Sequence, residues 1–152
     1  MRSKLVALCF VLSCTVAYGG AWGTGAFDND DALDWVWELE SSSGVSVLEA
    51  ALEDVTSSFF YISAPECSRA IAAAEIVAAL IGNPGPDLPE NVKSWVANND
   101  VQIDAKTLEL ARTAVTLVRD SSKSELAALW RDSGANHDDW LASMSDLIER
   151  LS

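Results

Sequence analysis

The residues of this sequence best suited to chemistry are aspartates that follow a glycine-rich stretch. Asp28, Asp30, Asp31 and Asp34 come soon after Gly23-Thr24-Gly25. Calcium and magnesium prefer such oxygen ligands, but the spacing does not match the calcium loop of an EF-hand, which needs a glycine at its sixth position and an acid at its twelfth. We therefore interpret the aspartates first as residues at a capped helix start. A metal site on Asp28, Asp30 and Asp31 is the alternative.

The glycine-rich loop also raises the question of phosphate binding, because free amides at a helix N-terminus attract anions. No strand precedes this loop, no lysine follows it, and the aspartates would repel a phosphate. We expect instead that Asp28, Asn29 or Asp30 caps the helix. Trp22 and Phe27 are predicted to hold the loop against the domain as two large apolar anchors.

Glu75 is the second candidate, since it is a carboxylate within the apolar segment 72–79. A buried and unpaired carboxylate would be costly, so Glu75 should have a partner. The expected partners are the amides of the loop at 23–25, a tryptophan indole or an arginine. In the alternative, Glu75 is a general acid or base, although no nucleophile accompanies it.

The sequence has few residues that could carry out other kinds of catalysis. His137 is the only histidine, and Cys67 is the only cysteine beyond the first residues of the chain. A zinc site or a catalytic triad needs more such residues. We expect no cofactor, and we interpret Cys67 as a small buried side chain.

Length and charge limit the function classes. The chain has 152 residues, 49% hydrophobic residues and six tryptophans, which is typical of one folded domain. The net charge of −13 argues against binding to nucleic acid or to an anionic membrane surface. A basic protein remains a suitable partner.

The first residues resemble a secretory leader. Arg2 and Lys4 precede an apolar run, and a small-residue cleavage site ends at Gly19. We expect residues 1–19 to be a signal peptide and the protein to be exported, secreted or periplasmic, after cleavage near Gly19. The alternative is a lipoprotein anchored at Cys14. The apolar run is too short for a stable membrane span.

The periodicity after the leader is helical throughout, which predicts an all-α, compact bundle of about seven short helices in a single domain, residues 20–152. Trp35 and Trp37 should point in nearly opposite directions on the first helix. Packing of both in the core is the favoured interpretation, and an indole offered to a partner is the alternative.

The helices are predicted at about residues 30–41, 46–60, 65–81, from 89, 104–119, after 122 and from 136 to the end. Three of them are predicted to begin with capping boxes, at Ser46-x-x-Glu49, Ser63-x-x-Glu66 and Ser122-x-x-Glu125.

The segment Trp22-Gly23-Thr24-Gly25-x-Phe27-Asp28-Asn29-Asp30-x-Ala32-x-Asp34-Trp35 resembles a bacterial family identified as domain of unknown function 4259. The resemblance continues through residues 72–79, 86–90, 124–130 and 140–151. Family members commonly begin near the glycine and tryptophan at the start of this segment, so the leader is a departure from the family pattern. The resemblance implies a small helical domain and supplies no established activity, catalytic residue or cofactor.

These observations favour an exported, acidic binding or protein-interaction module without catalytic function. The alternatives are a divalent-metal-dependent enzyme that uses the acidic loop with Glu75, and a motif that serves only the fold. The candidate binding residues are Trp22, Asp28, Asp30, Asp31, Asp34 and Glu75.

Overall fold

The fold is all-α, as the periodicity predicts. The computed structural model describes residues 21–152, and these contain seven helices and no strand beyond one isolated bridge. The helices are α1 (Asp30–Glu40), α2 (Ser46–Thr56), α3 (Ala64–Leu80), α4 (Glu90–Asn98), α5 (Ala105–Arg119), α6 (Glu125–Ser133) and α7 (His137–Arg150).

The predicted signal peptide, its cleavage near Gly19 and the alternative lipid attachment at Cys14 lie outside the described residues. Within residues 21–152, no helix combines the length and the apolar character that crossing a membrane would require.

Helix α3 lies at the centre of the bundle and packs against each of the other six helices. Its alanines let neighbouring backbones approach closely, and ten of its 17 residues are buried. The buried residues of α3 are Cys67, Ser68, Ala70, Ile71, Ala72, Ala73, Ala74, Ile76, Val77 and Ala78.

The predicted capping box at the start of α3 is confirmed. The Ser63 side chain accepts a hydrogen bond from the Glu66 amide, while the Glu66 carboxylate accepts from the Ser63 amide at 3.0 Å. The Ser63 hydroxyl also donates to the Glu66 carboxylate at 2.7 Å, and this bond, followed by that of the Ser63 amide, lowers the pKa of Glu66 below its ordinary value. Gly82, with a φ of 93°, follows the end of the helix, as expected for a glycine stop.

The capping box predicted at Ser46 is wrong. Val45 is the N-cap residue of α2 with helical backbone angles, so Ser46 already lies inside the helix and makes no capping bond. Glu49 instead accepts a hydrogen bond from the Thr107 hydroxyl of α5 at 2.7 Å. The tertiary contact between α2 and α5 therefore uses the carboxylate that a local cap would have used.

The cap of α6 is Ser124 rather than Ser122, because the chain before α6 is fixed by the segment that precedes α3. The Ile62 amide donates to the Lys123 carbonyl, and the Glu125 amide donates to the Ile62 carbonyl, both at 2.9 Å. The Ser124 hydroxyl then accepts from the Ala127 amide at 3.1 Å. These bonds hold α6 beside the first turns of α3.

The predicted end of the second helix and the predicted packing of Trp37 are also wrong. Helix α2 ends at Thr56 rather than near residue 60, so Phe59 lies beyond the helix and is 97% exposed. Trp35 is buried, but Trp37 is 74% exposed, so only one of these indoles packs in the core. The alternative, in which the other indole faces outward, is the observed arrangement.

We predict that Cys67 resists alkylation in the folded protein. Burial raises the pKa of the thiol to about 11 from 9.0, and only the thiolate is an effective nucleophile. Because the unfolded thiol ionises first, the free energy of unfolding should fall as the pH rises from 9.0 to about 11. Iodoacetamide labelling at pH 8, followed at the Cys67 peptide by mass spectrometry, should require denaturant; rapid labelling without denaturant would contradict the prediction.

Candidate binding site

The glycine-rich loop is closed by Asp28. The Gly25 amide donates to Asp28 Oδ2 at 3.0 Å, and the Trp22 amide donates to the Asp28 carbonyl at 2.9 Å. A Cβ atom at Gly25 would lie 2.7 Å from Asp28 Oδ2, and one at Gly23 would lie closer still. A side chain at either glycine would therefore displace this carboxylate from its position against the backbone.

Asn29, one of the three capping candidates, caps α1. Its Oδ1 accepts from the Ala32 amide at 2.8 Å, and its Nδ2 donates to the Ala26 carbonyl at 3.3 Å. Asp28 serves the loop instead, while Asp30 lies exposed at the first position of the helix. The side chains of Asp28 and Asn29 thus fix the loop and the helix start as one rigid unit.

The anchor prediction is confirmed for Phe27 and wrong for Trp22. Phe27 is buried in the core, whereas the Trp22 indole is 61% exposed. The second tie between loop and domain is polar, because the Ser143 hydroxyl of α7 donates to the Thr24 carbonyl at 3.1 Å. The Trp22 indole is accordingly accessible to a partner.

Beneath the loop lies a pocket of about 170 Å³ between α3, α6 and α7. An engineered cavity of about 150 Å³ admits benzene, so this pocket has room for one ring or one side chain. Its lining residues are Ala21, Gly23, Thr24, Gly25, Ala26, Asn29, Asp31, Ala64, Ser68, Ile71, Leu126, Leu129, Trp130, Ser133, Trp140 and Met144.

Trp130 and Trp140 form one wall of the pocket, and sequence reasoning did not identify them as site residues. Their rings stack with centroids 6.1 Å apart and an interplanar angle of 16°. The left-handed residues Gly134 and Asn136 reverse the chain between α6 and α7. This glycine stop followed closely by a new helix start is the sequence signal that predicts such a hairpin.

The pocket contains a single charged side chain, Asp31. Its carboxylate is half-buried, and no basic residue of the described chain forms a salt bridge with it. Asp30 and Asp34 are exposed on the same helix but do not line the pocket. Of the predicted binding residues, Asp31 is the one that lines this pocket. The bonds that close the glycine-rich loop do not use its carboxylate.

Glu75 pairs with an arginine, one of the three partner types expected. Glu75 accepts two hydrogen bonds from Arg150 of α7, at 2.8 and 2.6 Å, and the two side chains are only 13% and 17% exposed. Arg150 also donates to Asp146 at 2.7 Å. The hydrogen bond to Glu75 is the main cause that raises the pKa of Arg150 above its ordinary value. These contacts join the middle of the chain to its last helix and do not bring Glu75 to the glycine-rich loop.

The structure does not gather the predicted metal ligands. Among residues 21–152, no group of three or more His, Cys, Asp or Glu side chains is placed to hold a metal ion. The Asp28 carboxylate accepts from the Gly25 amide, and the Glu75 carboxylate accepts from Arg150.

Comparison with known proteins matches most of the chain to a family. A family model described as domain of unknown function (DUF4259) matches residues 20–143. The matched range contains the loop and all the pocket residues except Met144, whereas Arg150 lies beyond it. No curated protein and no solved structure matches the chain.

Replacing Gly25 with alanine should open the loop. The added Cβ would meet Asp28 Oδ2, so we expect the free energy of unfolding to fall by about 1–3 kcal/mol, as in other overpacked sites. Urea denaturation measures this change. In an Asp28→Ala background the same substitution should cost much less, because the clash is removed; strictly additive effects would contradict the predicted contact.

Replacing Glu75 with glutamine should turn the shielded carboxylate partner of Arg150 into a neutral amide and leave the more exposed Asp146 as its one carboxylate partner. We expect the free energy of unfolding to fall by about 2 kcal/mol, less than the about 3–5 kcal/mol of fully buried pairs. The matched control is Glu109→Gln, whose carboxylate is 69% exposed beside Arg112 and should change stability little. Equal losses for the two variants would contradict the structural role of Glu75.

Proposed function

The chain belongs to the family described as domain of unknown function 4259, and we propose that it is a binding module whose site is the pocket beneath the glycine-rich loop. The observation that carries this proposal is the pocket itself, an apolar and aromatic recess with one carboxylate on its wall. Concave, mostly apolar sites with few polar groups are typical of binding sites.

The size of the pocket favours a side chain of a protein over a free cofactor. Sites for drug-sized ligands occupy about 300–1,000 Å³, whereas this recess has about 170 Å³. A pocket of that size suits a single anchor residue, and such anchors supply much of the free energy of protein association. Trp22, exposed next to the pocket residues Ala21 and Gly23, adds an indole surface around the anchor.

The charge of the molecule favours a basic partner. The chain carries a net charge of −13, and Asp30 and Asp34 are exposed beside the pocket carboxylate Asp31. Opposite charge accelerates encounter and disfavours acidic competitors, and both effects weaken as salt rises. With the leader expected in residues 1–19, the partner would be a basic protein outside the cytoplasm.

The two alternative functions account for fewer of the contacts. A metal-dependent enzyme would need the loop aspartates and Glu75 to share one ion, but Asp28 and Glu75 have other partners. A purely structural motif explains Asp28, Asn29 and Glu75. Its place in the first turn of α1 also suits Asp31 to the helix dipole, but a purely structural motif gives no role to the pocket that Asp31 lines.

A peptide selection tests this proposal. When a random peptide library is selected on the purified protein, we expect recovered peptides to be basic and to bind several-fold more weakly at 0.5 M than at 0.05 M salt. Ser68→Leu, which fills the pocket, should abolish their binding. The matched control is Ser94→Leu, at an exposed position on α4 that does not line this pocket.

Because Ser68 is buried, a second variant guards against misfolding. Ser133→Trp adds bulk at an exposed residue of the pocket lining and should weaken the same peptides. The proposal fails if the recovered peptides bind the control and the two pocket variants alike, or if their affinity does not depend on salt.

A further inference from the structure

We propose that the anchor received by the pocket is an arginine side chain of the partner. This inference rests on the proposed function and makes it more specific. It combines three features of the same recess, namely its single carboxylate, its indole wall and its small volume.

The first argument is charge. Asp31 is the only charged residue of the pocket lining, and no lysine, arginine or histidine lies among the lining residues. The attraction between a carboxylate and a cation is strongest when they meet directly in partly apolar surroundings, because little water screens the pair. An arginine guanidinium can bind a carboxylate through two parallel hydrogen bonds.

The second argument is the wall. Leu126, Leu129 and Ile71 offer apolar contact to the methylene stem of the anchor, and Trp130 and Trp140 supply indole rings. A guanidinium is planar, stacks on indole and is more weakly hydrated than an ammonium. Entry of arginine into this recess therefore costs less desolvation than entry of lysine.

The third argument concerns the remaining donors of the guanidinium. The side chains of Asn29, Ser68 and Ser133 and the backbone at 23–26 all lie along the same lining. Several of these oxygens already accept one hydrogen bond within the protein, and each has a second lone pair for an N–H group that Asp31 leaves unpaired. A phenylalanine or leucine anchor would fill the volume but would give Asp31 no partner.

The test uses indole signals of the purified protein in a ¹H–¹⁵N spectrum, assigned by Trp130→Phe and Trp140→Phe. The probes are N-acetylarginine methylamide, its neutral isostere N-acetylcitrulline methylamide and N-acetyllysine methylamide. We expect the arginine probe to shift the Trp130 and Trp140 signals and to bind about threefold to tenfold more tightly than either other probe.

Matched variants distinguish a direct contact with Asp31 from the attraction that the negative charge of the whole protein exerts on any cation. Asp31→Asn should remove the preference for arginine over citrulline, while Glu38→Gln, which removes one negative charge from an exposed position of α1, should leave it unchanged. Thermal melts of both variants establish that they are folded.

The inference is overturned if citrulline binds as tightly as arginine, if lysine does, if Glu38→Gln weakens arginine as much as Asp31→Asn, or if no probe shifts the two indoles. Its failure remains distinguishable from that of the proposed function. If the recovered peptides depend on the pocket but carry an apolar anchor, the proposed binding function stands and only the assignment of arginine as the anchor fails.

Discussion

The structure depends on the close packing of helix α3 with all six other helices. A helix composed mostly of alanine and β-branched residues offers no polar face, so its burial is complete only when neighbours cover every side. Small side chains make this possible because helix axes can approach closely around them. The same constraint explains why Glu75 must be neutralised by a residue from another helix, since its own helix supplies no basic residue near it.

The acidic residues divide into those that build the fold and those that remain available. Asp28 closes the glycine-rich loop, and Glu75 holds Arg150 near the end of the chain. Asp31 belongs to neither contact and lines the pocket together with aromatic residues. The fold therefore separates carboxylates that form one acidic cluster in the sequence, since it uses Asp28 in the loop and leaves Asp31 without a salt bridge.

The pocket exists because distant segments converge on one end of α3. The loop is fixed by Phe27 and by the bond from Ser143, while α6 is fixed by the backbone bonds of Ile62. These ties join residues of the chain to one another and need no ligand to form. For the binding role proposed above, a recess fixed in this way would lower the entropic cost of binding.

The sequence by itself determined the all-α class, the approximate positions of the seven helices and the capping box at Ser63. These features follow from hydrogen bonds and side-chain periodicity between residues three or four apart. Only the tertiary structure decided that Glu75 meets Arg150, that Glu49 serves Thr107 rather than a local cap, and that Trp130, Trp140 and Asp31 line one recess. Such contacts join residues far apart in the chain, and their geometry is set by how the helices pack around α3, which no local pattern encodes.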